Sequence, residues 1–516
     1  MANNPTGSEQ RSAGDALAQS AHPPGWVNPV PRDTYDLVVI GGGPAGLAAV
    51  RGAGHKGKSV ALIERNLLGG NSQNAGSIPS KPLLRTARWY ADLHNGEKFG
   101  GPSLRDIGPD FGAAMARMRR IRARLAEGNS AQRLKAAGVD VYFGAARFAG
   151  DDSIDASGQT LRFRKALIAT GAVPSHPSIP GLAEAGYLTS DTIFDIPECP
   201  RRLLIVGGGP LGCEMAQAFQ WLGVHVVIVQ NEPKFLPLEE RDAAQLLSDA
   251  LARCGVEIHL NTTIAAVRCD AGAQYADLIN NDVKSTIAVD RILAGVGRKA
   301  NVGGLALEAA GIDHADAAGV RVNSFLQTSN PHVYAAGDVC MEYRYTNAAE
   351  ASAAVALHNA FSPGEEKVEA LTIPWVTHTD PEIAHVGFYI WEARRKGIPV
   401  GTITILMHDV DRAVTDGEED GFVKIHFEDG TDRILGATIV GRHAGEMISV
   451  LALAMTRGTG LRSLAKVVFP YPSRTGAIAM AAEAFVRTRV SRGNRSARDL
   501  GVDPRPGIDD ARKILD

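Results

Sequence analysis

The apolar positions of the chain fall twice into the same order: a strand, a glycine-rich turn, a helix and a second strand. In the first copy the apolar run 35–40 leads into the turn, and the run 59–63 ends at Glu64. In the second copy the run 202–206 leads into the turn, and the strand after the helix ends at Gln230. The glycines of the two turns stand at matching offsets, Gly41, Gly43 and Gly46 in the first copy and Gly207, Gly209 and Gly212 in the second.

This glycine spacing is typical of a turn that binds a dinucleotide. The first glycine allows the tight turn, the second lets the backbone approach a pyrophosphate, and the third lets the helix pack on the strand. The N-terminus of the helix then faces the phosphates. The repeat therefore predicts an α/β chain with two Rossmann-like dinucleotide-binding domains.

A third region, roughly 368–487, has a different pattern. Alternating segments such as 421–427 and 433–440 predict antiparallel strands, and a long apolar run after them predicts a helix. We expect an α+β C-terminal domain there, suited to self-association. Residues 1–34 lack apolar periodicity and are predicted to form an N-terminal arm, and 488–516 a peripheral C-terminal tail.

Composition narrows the classes of function. Lys plus Arg number 54 and Asp plus Glu 57, so the chain has no basic excess of the kind that favours nucleic acid. The five cysteines include no C-x-x-C pair, which argues against a disulfide framework or a zinc site and favours a reducing cytoplasm. The first residues lack a signal-peptide pattern, and the longest apolar run, 447–455, is about half of a membrane span. We expect a cytoplasmic protein with no membrane span, no nucleic-acid partner and no metal.

The residues that end the second strand of each copy bear on the nucleotide. Glu64 is placed to accept hydrogen bonds from a ribose diol. Gln230 at the matching position is neutral, so it neither repels a 2′-phosphate nor attracts it, although Lys234 follows closely. The choice between NADH and NADPH stays open.

Many ordered strings carry a family resemblance over about residues 24–487. They are YDLVVIGGGPAGLAA, ALIERNLLGGNSQNAGSIPSK, ALIATGAVP, GGGPLGCEMAQAF, ILAGVGRKAN, VYAAGDV, TDPEIAHVG, DRAVTDGEEDGFVKI and ILGATIVGRHAGEMI. In these the chain resembles the class I flavoprotein pyridine nucleotide-disulfide oxidoreductases, and within them mercuric reductase-like and dihydrolipoamide dehydrogenase-like proteins. The resemblance implies an oxidoreductase with FAD in the first dinucleotide fold, NAD(P)H in the second, and a homodimer formed through the third domain.

The implied domains follow the chain in a discontinuous order. The resemblance gives an FAD-binding domain at 35–175 and 300–367, an NAD(P)H-binding domain at 176–299 and a dimerisation domain at 368–487.

The resemblance also assigns site residues. It places the FAD pyrophosphate on the glycines of the first turn, the adenosine ribose on Glu64, the ribityl chain on Asp338, and an ion pair of Lys81 with Glu214 beside flavin N5. The full set of expected cofactor-binding residues is Gly41, Gly43, Gly46, Glu64, Gly70, Asn71, Lys81, Thr170, Gly171, Gly207, Gly209, Gly212, Gln230, Gly297, Gly337 and Asp338.

One segment departs from the family pattern. The family reads G-G-x-C-x-N-x-G-C-x-P-S-K, whereas this chain has Ser72 and Ser77 at the two cysteine positions. A thiolate can attack a substrate, form a mixed disulfide and donate electrons to the flavin. A serine hydroxyl has no such redox chemistry, so dithiol chemistry at this position is excluded.

The C-terminal motif departs as well. Where the lipoamide branch has a histidine base and an orienting glutamate, this chain has Tyr471, as mercuric reductase-like members have a tyrosine there, and Gly476. A His-Glu pair activates a nucleophile, whereas an unperturbed tyrosine has a pKa near about 10 and does not. The ending YPSRTGAI also resembles a quinone reductase subgroup that has lost its redox cysteines.

The leading hypothesis is therefore an NAD(P)H-dependent flavoprotein that passes electrons from reduced FAD directly to a diffusible acceptor, such as a quinone or oxygen. Ser72 and Ser77 of one subunit and Tyr471 of the partner subunit would line the acceptor cleft, and Lys81 and Glu214 complete the expected catalytic set. The alternatives are a flavoprotein that acts on an organic substrate, a cysteine-to-serine variant of a mercuric or disulfide reductase, natural or engineered, and a redox-silent FAD-binding dimer.

Overall fold

The computed structural model describes residues 7–102, 104, 106–270 and 273–499. They form two compact units. The first unit contains the described residues up to 238, together with 247–371 and 377–379. The second contains 239–246, 372–376 and the described residues from 380 onward. Each is a mixed α/β structure with its own core, as the sequence predicts.

The first unit is built on a seven-stranded sheet that holds the first glycine turn. Its order is Val139–Phe143, Val60–Glu64, Tyr35–Ile40, Gln159–Ile168, Ser153–Ala156 and Ala146–Phe148, and Val333–Ala335 also pairs with Gln159–Ile168. Ile40 lies opposite both Ile63 and Ile168 in parallel register. Three strands therefore end at the same edge, which brings Gly41, Glu64 and the turn after Ile168 together.

A second parallel sheet of the first unit holds the second glycine turn. Its four strands are Glu257–His259, His225–Val229, Arg202–Val206 and Arg291–Ala294, in that order. A three-stranded antiparallel sheet follows, Thr262–Asp270, Ala273–Asn280 and Val283–Val289. Two short strand pairs complete the strands of this unit: Ala172–Pro174 with Arg298–Ala300, and His314–Ala315 with Gly319–Val320.

The helices of the first unit cover these sheets. They are Gly7–Ala21, Pro44–His55, Gly70–Asn74, Ser77–His94, Phe111–Ala126, Ala131–Ala136, Leu182–Ala185, Pro210–Trp221 and Thr346–Phe361. Helix Arg241–Arg253 begins among the residues of the second unit and ends among those of the first. Apolar side chains fill both faces of the seven-stranded sheet, with Leu37 and Val39 on one face and Val38 and Ile40 on the other.

The second unit is a five-stranded sheet with helices. Its strand order is Pro374–Thr377, Glu382–Gly387, Ile434–Gly441, Phe422–Glu428 and Val400–Leu406. The pairings among the last four strands are antiparallel, as predicted for this region. Its helices are Ile390–Arg395, Asp411–Asp416, Ala444–Thr456, Leu461–Leu464 and Gly476–Asp499.

The structure differs from the sequence prediction at both ends of the chain. The segment predicted to be an N-terminal arm contains the helix Gly7–Ala21, and Leu17 and Ala21 are buried in the core of the first unit. These residues are one helical turn apart, so they share a face, but a single large apolar side chain gave too weak a periodicity to predict the helix. The last helix continues beyond the predicted domain end at 487. Residues 1–6 of the predicted arm and 500–516 of the predicted tail lie outside the described residues.

None of the helices in the described ranges is long and apolar enough to cross a membrane.

A buried histidine in the second unit leads us to expect that stability depends on pH. His385 is fully buried, and its Nδ1 lies 2.8 Å from Thr438 Oγ1. Its ring stacks on that of Tyr389 with centroids 3.7 Å apart. Burial disfavours the charged ring and lowers the pKa of His385 to about 3.

Stability is therefore expected to fall on acidification below about pH 6.5. There the unfolded chain protonates His385 and the folded chain does not, which weakens the folded state by up to about 1.4 kcal/mol per pH unit. We expect His385→Gln to remove about one proton from the pH dependence between pH 6.5 and 5, measured by urea unfolding. The exposed His408 provides the matched variant His408→Gln, which tests whether the loss of any histidine changes the slope. Equal slopes in all three proteins would contradict this prediction.

Candidate functional site

The first glycine turn is shaped by two close backbone approaches. Gly41 has a φ of 105°, and a Cβ on it would lie 2.4 Å from the carbonyl oxygen of Ala169. A Cβ on Gly46 would lie 1.8 Å from the carbonyl oxygen of Gly41. Since real Cβ contacts are longer than this, both positions require glycine.

The first turn of the helix after this glycine turn has backbone N–H groups that can bind an anion. It starts at Pro44, follows an extended Gly43 and has no side-chain cap among the described residues. The N–H groups of a first helical turn have no partner within the helix, so they can bind a phosphate. The nearest atom to a Cβ on Gly43 is the Cα of Gly70 at 3.8 Å, which leaves room for the ligand.

Glu64 lies beside the turn with its carboxylate oriented by the backbone. It accepts the N–H of Gly42 and the N–H of Asn66, each at 2.7 Å. A carboxylate oxygen can accept more than one hydrogen bond, so Glu64 can still accept ribose hydroxyls. It lines a cleft of about 150 Å³ together with Thr170 and Gly144.

The helix Gly70–Asn74 contains a buried hydrogen-bond acceptor without a donor among the described residues. Gly70 approaches Gly43 so closely that a Cβ on it would lie 2.6 Å from the Gly43 Cα. Asn71 follows, and its buried Oδ1 has no hydrogen-bond partner among the described residues. A buried acceptor of this kind normally has a donor. The surroundings of Gly43, Gly70 and Asn71 therefore fit a bound group such as FAD, which could supply that donor.

Two further loops of the first unit hold predicted cofactor residues. Thr170 Oγ1 donates to the Asn301 carbonyl at 2.7 Å, and the Asn301 N–H donates to the Gly171 carbonyl at 2.9 Å. Gly337 has a φ of 76° and precedes Asp338. Burial raises the pKa of the Asp338 carboxyl, against the opposing charges of Arg298 and Arg344.

The second glycine turn repeats the geometry of the first. A Cβ on Gly212 would lie 2.2 Å from the Gly207 carbonyl oxygen, and nothing lies within 4 Å of a Cβ on Gly209. Gln230 is buried and donates its Nε2 to the Lys234 carbonyl at 2.8 Å. Gly297 has a φ of 95° and its carbonyl accepts the N–H of Ser175. The side-chain NH₂ of Gln230 is thus oriented by the backbone, and its nucleotide role stays a prediction.

Lys81 and Glu214 form the ion pair that the sequence suggested. The Lys81 Nζ lies 2.9 Å from Oε2 and 3.1 Å from Oε1 of Glu214. Lys81 also donates to Ser80 Oγ at 3.2 Å, and Glu214 Oε1 accepts the N–H of His378 at 2.9 Å. The Glu214 side chain is only 7% exposed, against 35% for Lys81, so this pair is not a surface salt bridge.

The two serines have different environments. Ser72 lies in the helix Gly70–Asn74, and its Oγ accepts a hydrogen bond from Thr346 Oγ1 at 2.8 Å. Ser77 is exposed in the first turn of the helix Ser77–His94. The Ser72 hydroxyl is therefore held by the protein, whereas Ser77 faces solvent.

Tyr471 belongs to the second unit and is not among the residues that the first unit brings together. It is 82% exposed, and its hydroxyl donates to Asp411 Oδ2 at 2.8 Å. This hydrogen bond raises the pKa of Tyr471, so the phenol stays protonated at neutral pH. Gly476 begins the last helix.

Sequence reasoning missed several partners of the site. Thr346, which bonds Ser72, is 274 residues away in the chain, and the His378 N–H that bonds Glu214 is 164 residues away. Ser80 could have been predicted from the sequence, because it is the neighbour of the predicted Lys81. No local sequence pattern indicates the contacts of Thr346 with Ser72 and of the His378 N–H with Glu214, because the partners are far apart in the chain.

Comparison with known proteins decides the family. The family model described as "Pyridine nucleotide-disulphide oxidoreductase" matches residues 35–356. The chain belongs to the pyridine nucleotide-disulphide oxidoreductases. The model of the family's dimerisation domain matches residues 373–482, which indicates that this pyridine nucleotide-disulphide oxidoreductase forms a homodimer.

Individual relatives agree with this assignment. The chain is 30% identical to a mercuric reductase of Staphylococcus aureus over 87% of this chain and 82% of the reductase. It is 32% identical to a dihydrolipoyl dehydrogenase of Thermus scotoductus over 90% of this chain and 100% of that enzyme. Its structure is similar to the HOCl-induced flavoprotein disulfide reductase RclA from Escherichia coli, with a TM-score of 0.77 and 27% identity over 87% of this chain and 99% of RclA.

The family establishes the general chemistry. Pyridine nucleotide-disulphide oxidoreductases use FAD and NAD(P)H, and the present chain is an FAD-dependent pyridine nucleotide oxidoreductase. Its first glycine turn, with Glu64 and Asn71 beside it, fits the flavin nucleotide.

Proposed function

We propose that this enzyme passes electrons from NAD(P)H through FAD directly to a diffusible acceptor, such as a quinone or oxygen, without a redox-active disulfide. The observation that carries the proposal is the pair Ser72 and Ser77 at the positions where the family pattern has cysteines. Neither hydroxyl can form a disulfide or donate electrons.

Cys340, close to the cofactor residue Asp338 in sequence, does not replace the missing pair. Cys340 is the cysteine that follows Asp338, and burial raises the pKa of its thiol to about 12. A thiol that stays protonated is a poor nucleophile. The protonated Tyr471 likewise lacks the basicity that a thiol relay needs.

In this proposal the chain's residues bind and orient the reactants. FAD would supply the two-electron step between nicotinamide and acceptor. The Lys81 ammonium, held by Glu214, would place a positive charge where negative charge develops. Ser72 and Ser77 of one subunit and Tyr471 of the partner subunit would line the acceptor site, with Ser77 and Tyr471 as the exposed hydroxyl groups. The residues proposed to hold FAD are Gly41, Gly43, Gly46, Glu64, Gly70, Asn71, Thr170, Gly171, Gly337 and Asp338, and those for NAD(P)H are Gly207, Gly209, Gly212, Gln230 and Gly297.

Steady-state oxidation of NADH and NADPH by the purified holoenzyme tests the proposal. We expect turnover with a naphthoquinone and none with lipoamide, oxidised glutathione or Hg(II), because the last three require thiol chemistry. The variant Ser72→Ala with Ser77→Ala should keep quinone turnover within about threefold, since hydroxyls contribute only hydrogen bonds. Quinone turnover no faster than that of free FAD would refute the proposal.

The same assay distinguishes the proposed function from its main alternative, an inactivated disulfide reductase. If the chain were a disulfide reductase inactivated only by its serines, Ser72→Cys with Ser77→Cys would restore lipoamide, glutathione or Hg(II) reduction. We expect no reduction of lipoamide or glutathione, because Tyr471 and Gly476 do not supply a base and its orienting acid. We expect no Hg(II) reduction either, because mercuric reductases capture Hg(II) on a C-terminal cysteine pair, whereas Cys340 is the last cysteine in this sequence.

A further inference from the structure

The N-terminal strap, which we define as residues 14–34, lies against the first unit through named contacts along its length. Leu17 and Ala21 are buried in the core. Trp26 Nε1 donates to the Val141 carbonyl at 3.1 Å, and Arg32 Nε donates to Asp140 Oδ2 at 2.8 Å. The strap therefore follows the strand Val139–Phe143, which stands at the end of the strand order of the sheet.

The strap holds the loop that follows Glu64. His22 Nδ1 lies 2.8 Å from the Asn66 carbonyl oxygen, and the Leu68 N–H donates to the Ala21 carbonyl at 3.0 Å. The next N–H, of Gly69, donates to the Gly42 carbonyl at 2.8 Å within the first glycine turn. Contacts thus run continuously from the strap to the turn.

The strap also contacts the residue before Gly144, which lines the Glu64 cleft. Asn28 makes two hydrogen bonds with the backbone of Phe143, donating from Nδ2 at 2.9 Å and accepting at Oδ1 at 2.8 Å. The His22 ring stacks on the Phe143 ring with centroids 4.0 Å apart and planes 7° apart. The next residue, Gly144, lines the cleft and donates its N–H to the Glu64 carbonyl at 2.9 Å.

We propose that the N-terminal strap is a positioning element for FAD, which fixes the segments that carry Glu64 and Gly144 in the wall of the cleft and slows release of the cofactor. Loops that line a binding site tend to open locally unless other groups hold them. Walls fixed in advance remove the ordering cost of binding and thereby increase affinity. His22 and Asn28 are the residues that connect the strap to the cleft.

This inference rests on the assignment of FAD to the first glycine turn in the proposed function, but not on the acceptor. Release of FAD is measured after dilution of the holoenzyme, as the increase in fluorescence of free FAD. We expect His22→Ala and Asn28→Ala each to release FAD about tenfold faster, the change that losing one or two hydrogen bonds produces. The control Arg32→Ala removes a strap contact to Asp140, on the same strand but outside the residues that line the cleft, and should stay within about twofold.

Melting temperatures of the variants without FAD separate positioning from general stability. We expect His22→Ala and Asn28→Ala to melt within about 3 °C of the unaltered apoprotein, because the loss of one or two hydrogen bonds shifts the Tm of a chain of this size by only a few degrees. Unchanged FAD release in both variants would overturn the inference, as would an equal acceleration in Arg32→Ala. An enzyme that retained no FAD at all would overturn both this inference and the FAD assignment. A lack of quinone turnover would refute only the proposed acceptor, because the release rates are measured without one.

Discussion

Gly46→Ala is expected to yield a colourless protein that does not retain FAD. The new Cβ would lie 1.8 Å from the Gly41 carbonyl oxygen, so the helix must move away from the turn. That movement displaces the N–H groups that would hold the pyrophosphate. We expect FAD affinity to fall by at least about 100-fold, measured as the absorbance of bound flavin relative to that of protein.

The chain supplies two matched comparisons. Gly54 lies in the same helix, Pro44–His55, and no atom lies within 4 Å of a Cβ built on it. Gly54→Ala should therefore bind FAD normally and be up to about 1 kcal/mol more stable. Gly212→Ala repeats the clash in the second turn, at 2.2 Å from the Gly207 carbonyl oxygen. It should remain yellow and be reduced by dithionite but not by NADH. A yellow Gly46→Ala protein would contradict the FAD assignment.

Lys81→Met is expected to slow reduction of the flavin by NADH about 100-fold, as removal of one preorganised electrostatic group commonly does. The substitution also leaves the Glu214 carboxylate, whose side chain is 7% exposed, without the cation that balances it. A negative charge in that position opposes the arrival of a hydride. Anaerobic stopped-flow measurement of flavin bleaching gives the rate directly.

Arg85→Met is the matched control for this prediction. Arg85 is an exposed cation one turn further along the helix Ser77–His94 and should tolerate the change with a rate within about twofold of the original. FAD content should be equal in both variants, so that the rates compare the same bound cofactor. Equal reduction rates in Lys81→Met and the unaltered enzyme would show that the ion pair has only a structural role.

The parts of the site that a local pattern encodes could be predicted from the sequence. The glycine turns are local, because the strand before them, their spacing and the helix after them all lie within a few residues. Parallel register then places Glu64 at the same sheet edge as Gly41, as its position at a strand end implied. The Lys81 and Glu214 contact needed the family resemblance, since the two residues lie 133 positions apart.

Other features depend on tertiary contacts that no local pattern records. The Ser72 to Thr346 hydrogen bond joins residues from separate parts of the first unit, and either hydroxyl alone is indistinguishable from a surface serine or threonine. The helix Gly7–Ala21 was missed because alanines contribute little to an apolar pattern, although they favour a helix and fit closely against a core. Its stability comes from packing rather than from periodicity.

Ser72 and Thr346, which form a hydrogen bond, make this part of the site resistant to oxidation. A cysteine at this point could be oxidised stepwise to sulfenic, sulfinic and sulfonic acids, and the last two steps are effectively irreversible. Hydroxyl groups do not undergo this series, and they do not react with alkylating reagents that modify thiolates. Ser72 and Thr346 therefore keep the same covalent form under oxidising and reducing conditions, because neither side chain carries a thiol.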